Sequence, residues 1–184
     1  MKLDGSVAWT WGSTLQERNM AFPCDAHLSN ADDEYFRAVH VDAPADVVFR
    51  WLCQLKIAPY SYDLIDNLGR RSPRRLTPGT ENLALGQKVM TIFEVVEFEK
   101  NRHLTVTLSD PRAKAFFGQV ALSYVVLPTS EDSCRLVAKL SVIHSRKIPR
   151  TLTRWTLPWG DLVMMRKQLL NLKNLSEDSF STRA

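Results

Sequence analysis

Apolar positions in the last part of the chain recur at helical spacing. Leu162, Met165, Leu169 and Leu172 follow at three- and four-residue steps, and Trp159, Val163 and Leu170 form a second stripe beside them. At roughly 100° per residue, Arg166 and Lys173 fall between the stripes, and Lys167, Gln168, Asn171 and Asn174 make a polar back. Pro158 suits the first position of such a helix, because its missing N–H is one the first turn leaves unused. Asp161 adds negative charge in the first turn, where the helix dipole favours it. The spacing predicts a helix from Pro158 to Leu175 whose wide apolar face needs a large partner surface.

Upstream, the period is two. Tyr35 to Asp42 alternates, with Phe36, Ala38 and His40 on one face and Tyr35, Arg37, Val39 and Val41 on the other, as in a strand. Asp42 or Ala43, with Pro44, opens a helix over Ala45 to Leu55 that is apolar nearly all round. Ala58-Pro59 ends it, and Tyr60-Ser61-Tyr62-Asp63 leads into a short helix, Leu64 to Leu68, stopped by Gly69. Val89 to Glu99 reads as one long strand or two joined at a bend. Strands then follow at His103 to Ser109, Ala115 to Leu127 and Cys134 to His144, with Asp110 to Lys114 as a connection. In the last strand Leu136, Ala138, Leu140 and Val142 point inward, and Arg135, Val137, Lys139 and Ser141 outward. Short turns between successive strands make them antiparallel. Arg146 to Leu157 reads as a basic connection to the final helix. The fold class is α+β: a curved antiparallel sheet wrapped around a long C-terminal helix, with two short helices after the first strand. Residues 1–34 read as an N-terminal arm packed on the domain, 35–176 as the domain and 177–184 as a flexible tail.

Composition adds bounds. The 184 residues, 45 % hydrophobic and 24 % charged, suit one domain with a real core. No apolar run approaches the roughly 18 residues that span a bilayer, so stable membrane insertion is not expected. The opening residues show no secretory signal, and the three cysteines, far apart and odd in number, fit a reduced cytoplasmic interior. No Cys or His pair stands at ligand spacing, so neither a metal nor another cofactor is expected. Net charge is +4, with clusters at Arg70, Arg71, Arg74 and Arg75 and at Arg146, Lys147, Arg150 and Arg154. Without aromatic interleaving or a helix-turn-helix they do not predict nucleic acid as a partner. They read as solvated loops, with an anionic partner as the weaker alternative. Oligomeric state stays open.

Several stretches together carry a resemblance. Val41-Asp42-Ala43-Pro44-Ala45-Asp46-Val47-Val48-Phe49-Arg50-Trp51-Leu52, Tyr60-Ser61-Tyr62-Asp63-Leu64-Ile65-Asp66-Asn67, Leu85-Gly86-Gln87 and Met165-Arg166-Lys167-Gln168-Leu169-Leu170 resemble the SRPBCC superfamily in order and spacing. This is the START and Bet v 1-like helix-grip group, which includes polyketide cyclase/dehydrase-like proteins; the similarity is to a bacterial, largely uncharacterised branch. Trp11-Gly12-Ser13-Thr14 and Phe22-Pro23-Cys24-Asp25 resemble that branch's N-terminal arm, which commonly has glycine where Cys24 stands. The resemblance implies a six-stranded sheet and a C-terminal helix over a cavity for lipid-, sterol-, hormone- or polyketide-like molecules. It supplies no catalytic residue.

The candidate ligand-binding residues follow. Arg166, between two apolar stripes, calls for an anion if buried, either a ligand carboxylate, enolate or phosphate or a structural partner such as Asp63 or Glu94; otherwise it snorkels to the cavity mouth. Tyr60, Tyr62 and Asp63 together could line a pocket, although Asp63 could equally cap a helix. Tyr124 shares a face with Leu122 and Val126. His103 and His144 are strand histidines with acid–base capacity, although a lone strand histidine is more often structural or exposed. Trp155 and Trp159, spaced by four, are read as core packing, with cover for one cavity end as the alternative, and Met165 lies in the apolar stripe. The expected partner is a small apolar or amphipathic molecule, bound by a non-catalytic carrier or sensor. The alternative is a polyketide cyclase/dehydrase-like enzyme using acid–base residues in the same cavity.

Overall fold

A computed structural model describes residues 6–62, 69, 71–146 and 149–182, with backbone alone at 150–152 and 154. Asp63 and the short helix expected at Leu64 to Leu68 lie outside the described residues.

The arm forms three single turns of helix, α1 (Val7–Thr10), α2 (Leu15–Arg18) and α3 (Cys24–His27). Strand β1 (Asp33–Val41) and helix α4 (Ala45–Cys53) follow, the latter tightening into a 3₁₀ turn over Gln54–Lys56. Then come β2 (Lys88–Val89), β3 (Phe93–Glu99), β4 (His103–Leu108), α5 (Pro111–Phe117), β5 (Gln119–Pro128), β6 (Cys134–Ile143) and the long helix α6 (Arg150–Ser181). The strands form one six-stranded sheet in the order β1-β6-β5-β4-β3-β2, every neighbouring pair antiparallel. The run from Val89 breaks because Met90 and Thr91 both take positive φ, 47° and 68°. A register shift between Val95 and Glu97 bends β3 again. Curved in this way, the sheet grips α6.

Two elements differ from expectation. Ala115 to Phe117 is helical, not the start of a strand. Asp110 accepts from the Ala113 N–H at 2.8 Å and Pro111 stands in the first turn, two helix-start signals that the period-two reading overrode. Helix α6 begins at Arg150 with Pro158 inside it, and it continues through Ser181 where a flexible tail was expected. The Trp51 Nε1–H donates to Ser179 Oγ at 3.0 Å, and the Asp42 N–H donates to Glu177 at 2.8 Å, so these last turns are anchored.

Inward residues of all the longer strands meet α4 and α6 in one core, in which Leu52, Leu104, Leu136, Leu169 and Leu172 are fully buried. The buried face of α6 carries Leu162, Met165, Gln168, Leu169, Leu172 and Ser176. Of the second stripe expected there, Trp159 and Val163 are turned outward, 54 % and 51 % exposed, while Leu170 packs half-buried against the core.

Part of the outer face of the sheet is buried as well, because the arm covers it. Phe22, Cys24 and Leu28 pack on Phe36, Ala38, Ala121 and Val137. Lys139, read as outward, is buried there between Asp25 at 2.6 Å and Glu34 at 2.7 Å. Glu17 closes a capping box with Thr14 and accepts from Arg135 at 2.7 and 3.0 Å. The Trp11 carbonyl accepts from the Ala38 N–H at 3.0 Å, so the arm also occupies the open edge of β1. Gly12 permits this approach: its φ is +72°, and a Cβ there would stand 2.0 Å from the Ala38 carbonyl oxygen. Gly12→Ala is therefore expected to destabilise by about 2 kcal/mol, from left-handed strain plus the clash. Limited proteolysis should show earlier cleavage within residues 6–30; an unchanged pattern and an unchanged Tm would contradict this role.

Candidate functional site: a hollow between sheet and helix

Between α6 and the inner face of the sheet lies a hollow of about 500 Å³. Its floor is Leu108, Val120, Leu122, Leu140 and Val142, carried inward by strand alternation. One wall is the β2–β3 bend, where positive φ at Met90 and Thr91 turns Met90 and Ile92 toward α6. The opposite wall is Leu157, Met164 and Met165 of α6. At one end Phe116 and Phe117 of α5 face Thr156 and Gly160. A Cβ on Gly160 would meet nothing within 4 Å, so packing does not demand glycine. In mid-helix glycine costs about 0.5–1 kcal/mol relative to alanine. What it does here is keep the rim of the hollow bare.

Besides Ser61 and Thr156, two polar groupings interrupt the apolar lining. The Tyr124 hydroxyl donates to Gln168 Oε1 at 2.5 Å, and Gln168 Nε2 donates to the Pro59 carbonyl at 2.6 Å. Burial pushes the Tyr124 phenol well above its ordinary range, the Asp161 charge adds to this, and the bond to Gln168 draws it back. The phenol is thus a neutral hydrogen-bonding group at any physiological pH. The second grouping is Asp161, which forms an ion pair with Arg37 at 2.8 Å. Burial lifts the Asp161 carboxyl to about 6, against the pull of Arg37. Arg37 itself is buried, and its guanidinium also donates to the carbonyls of Phe36, Ala8 and Pro158.

Of the candidates read from sequence, Tyr124 and Met165 line the hollow. Tyr60 is buried beside it, its ring edge-on to Trp51 at 6.0 Å and its carbonyl accepting from Asn171. Tyr62 is 38 % exposed. Arg166 is corrected: its side chain is exposed and stacks on Trp11 at 5.5 Å, so its charge stays near water and needs no buried anion. His103 alternates with the inward Leu104 and therefore sits on the outer face, 3.2 Å from Glu97. His144 is held by Asp33 at 2.6 Å, outside the lining of the hollow. Trp159 points to solvent. Burial pushes Cys53 and Cys134 up to about 12 and also raises Cys24, so none of the three is activated as a nucleophile. Sequence reasoning missed Gln168 and Asp161. Gln168 stands three residues after Met165 and four before Leu172, and Asp161 four before Met165; that spacing was the available signal.

No family model matches the chain, and neither does any curated protein. Solved structures do. Norcoclaurine synthase from Thalictrum flavum, in complex with dopamine and hydroxybenzaldehyde, aligns with a TM-score of 0.50 at 12 % identity, over 79 % of this chain and 87 % of that one. A START superfamily protein from Mycobacterium smegmatis aligns with a TM-score of 0.46 at 14 % identity, over 82 % and 99 %. The Zhui aromatase/cyclase from Streptomyces sp. R1128 aligns with a TM-score of 0.45 at 14 % identity, over 78 % and 93 %. At such identities the likeness concerns architecture alone, and that architecture is the helix-grip fold of the SRPBCC, Bet v 1-like group.

Proposed function

We propose that the protein binds a small apolar molecule in the hollow between sheet and α6, as a carrier or sensor and without catalysis. The observation that carries this reading is the lining. It is apolar almost throughout, and of its polar side chains Tyr124, Gln168 and Asp161 already have partners within the chain, as do Ser61 and Thr156. Such a surface rewards a guest for leaving water and asks little of it in hydrogen bonds. A second reading, acid–base work on a polyketide-like substrate, is favoured by one feature: a carboxyl near neutrality in the lining, at Asp161.

The test is native mass spectrometry of protein purified from its own host, alongside titration with the apolar fluorophore N-phenyl-1-naphthylamine. A retained apolar adduct, or saturable binding of about one fluorophore with micromolar affinity, is expected for a site of this size. Protein that carries no adduct and does not bind the fluorophore would sink the carrier reading. Conversion of a bound molecule that stops in Asp161→Asn while binding persists would move the assignment to the enzyme.

A further inference from the structure

Among the described residues Asp161 is the one charged side chain that lines the hollow. A carboxylate has room for about four hydrogen bonds, and a buried one that accepts none is rare in folded proteins. Here neither oxygen accepts one. Asp161 Oδ2 stands 2.8 Å from Arg37 Nη2. That nitrogen has two hydrogens, and they go to the Ala8 carbonyl at 2.7 Å and the Pro158 carbonyl at 3.2 Å. Oδ2 is therefore paired in charge but not in hydrogen bonding. Oδ1 has no hydrogen-bond donor among the described residues.

The other polar side chains of the lining are in a different position. Tyr124 and Gln168 are committed to each other and to the Pro59 carbonyl. Gln168 follows Asp161 by seven residues, two turns or about 10 Å along α6, so its amide does not reach the carboxylate. Asp161 is thus an acceptor that the chain has placed in an apolar wall, neutralised by Arg37, and left open to whatever enters.

We infer, given the binding role proposed above, that the guest is an apolar molecule carrying a neutral hydrogen-bond donor, a hydroxyl, which donates to Asp161 and makes this residue the determinant of ligand specificity. Charge decides the kind of donor. Arg37 already balances the carboxylate, so a hydroxyl completes the site and adds no charge. An ammonium would bring a second cation beside a buried guanidinium and lose its own hydration. A ligand carboxylate would meet Asp161 as a like charge. The rest of the guest then lies on the leucine and valine floor and against the methionines of α6, where it is rewarded only for leaving water.

The experiment is displacement of N-phenyl-1-naphthylamine from the full chain by decanol, decyl methyl ether, decylammonium and decanoate, which share one alkyl chain and differ in the head. Decanol should compete at least about tenfold more tightly than the ether, which accepts a hydrogen bond but cannot donate one. Decanoate should be weaker than decanol by at least about the same factor, and decylammonium no tighter than decanol. In Arg37→Leu with Asp161→Leu the acceptor is gone and no charge is left buried, so decanol and the ether should come within about threefold of each other. Asp161→Asn should narrow the gap in the same way, because its amide can donate to the ether oxygen. Equal competition by decanol and the ether in wild type would overturn the inference, since water rather than the guest would then complete Asp161. Decylammonium binding more tightly than decanol would overturn it too, as would a preference for decanol that survives in either folded variant. These outcomes leave the hollow as a binding site. Protein that takes up neither the fluorophore nor any of the four decyl compounds would instead bring down the hollow, and the inference with it.

Discussion

Arg37→Leu is expected to lower stability at neutral pH by about 3–5 kcal/mol, the range for removing one partner of a buried ion pair. Arg37 is 1 % exposed, and leucine there would leave Asp161 buried without a counter-charge. It would also take a donor from the carbonyls of Phe36, Ala8 and Pro158, groups that join β1, the arm and α6. The loss has a pH signature. Asp161 is raised from 3.8 to about 6 by burial against the pull of Arg37. A carboxyl raised on folding contributes stability fully below its unfolded value, and that contribution is lost as pH rises through the folded value. In wild type it is therefore gone above about pH 6. Without Arg37 the carboxyl rises further, so the variant goes on losing stability at higher pH. The gap between the two proteins should widen between about pH 5 and pH 8 in urea titrations. Glu17 runs the other way: burial pushes it up, but Arg135 and Thr14 outweigh that and bring it down, so its contribution fades on acidification in both proteins and cancels in the difference. Arg37→Leu combined with Asp161→Leu should recover most of the loss, because no charge is then left buried. A gap that is constant with pH, or a double variant no better than the single, would remove the ion pair from this account.

Arg37 also shows what the sequence could and could not disclose. Alternation placed it on the face of Tyr35, Val39 and Val41, and that face is the core. A cation there implies a buried anion, but its partner lies on another element far along the chain, and strand periodicity says nothing across such a separation. The helix shows a different limit. Its apolar spacing was plain, yet hydrophobicity alone centred the buried face between the two stripes, toward Trp159 and Val163. The contact is centred instead on Leu162, Met165, Leu169 and Leu172, which brings Gln168 inside and puts Arg166 in water. Gln168 is tolerated there because Tyr124 and Pro59 satisfy its amide, a circumstance set by the β5 register and the turn after α4. The strands were legible wherever period two was strict, as in β6. They were misread where capping chemistry competed, as at Asp110-Pro111. The hollow itself has no local signal, since it is the space that floor and helix leave between them.

That space makes the last expectation measurable. Leu122 and Leu140 are direct cross-strand partners on β5 and β6, and both face the hollow. Leu122→Trp with Leu140→Trp would set two indoles side by side on its floor. In a filled core such enlargement costs about 1–3 kcal/mol per site through strained rotamers and backbone shifts. Here the added rings meet empty volume and gain contacts, so the Tm should hold or rise. The guest should lose its place, and affinity for N-phenyl-1-naphthylamine should fall at least about 100-fold, equivalent to about 2.8 kcal/mol. The two readouts constrain each other. Lost affinity with retained Tm means the rings occupy room that a ligand needs. Retained affinity in a folded variant means the guest sits elsewhere. A sharp drop in Tm means side chains already fill the space, and binding by the hollow fails on packing grounds whatever the affinity.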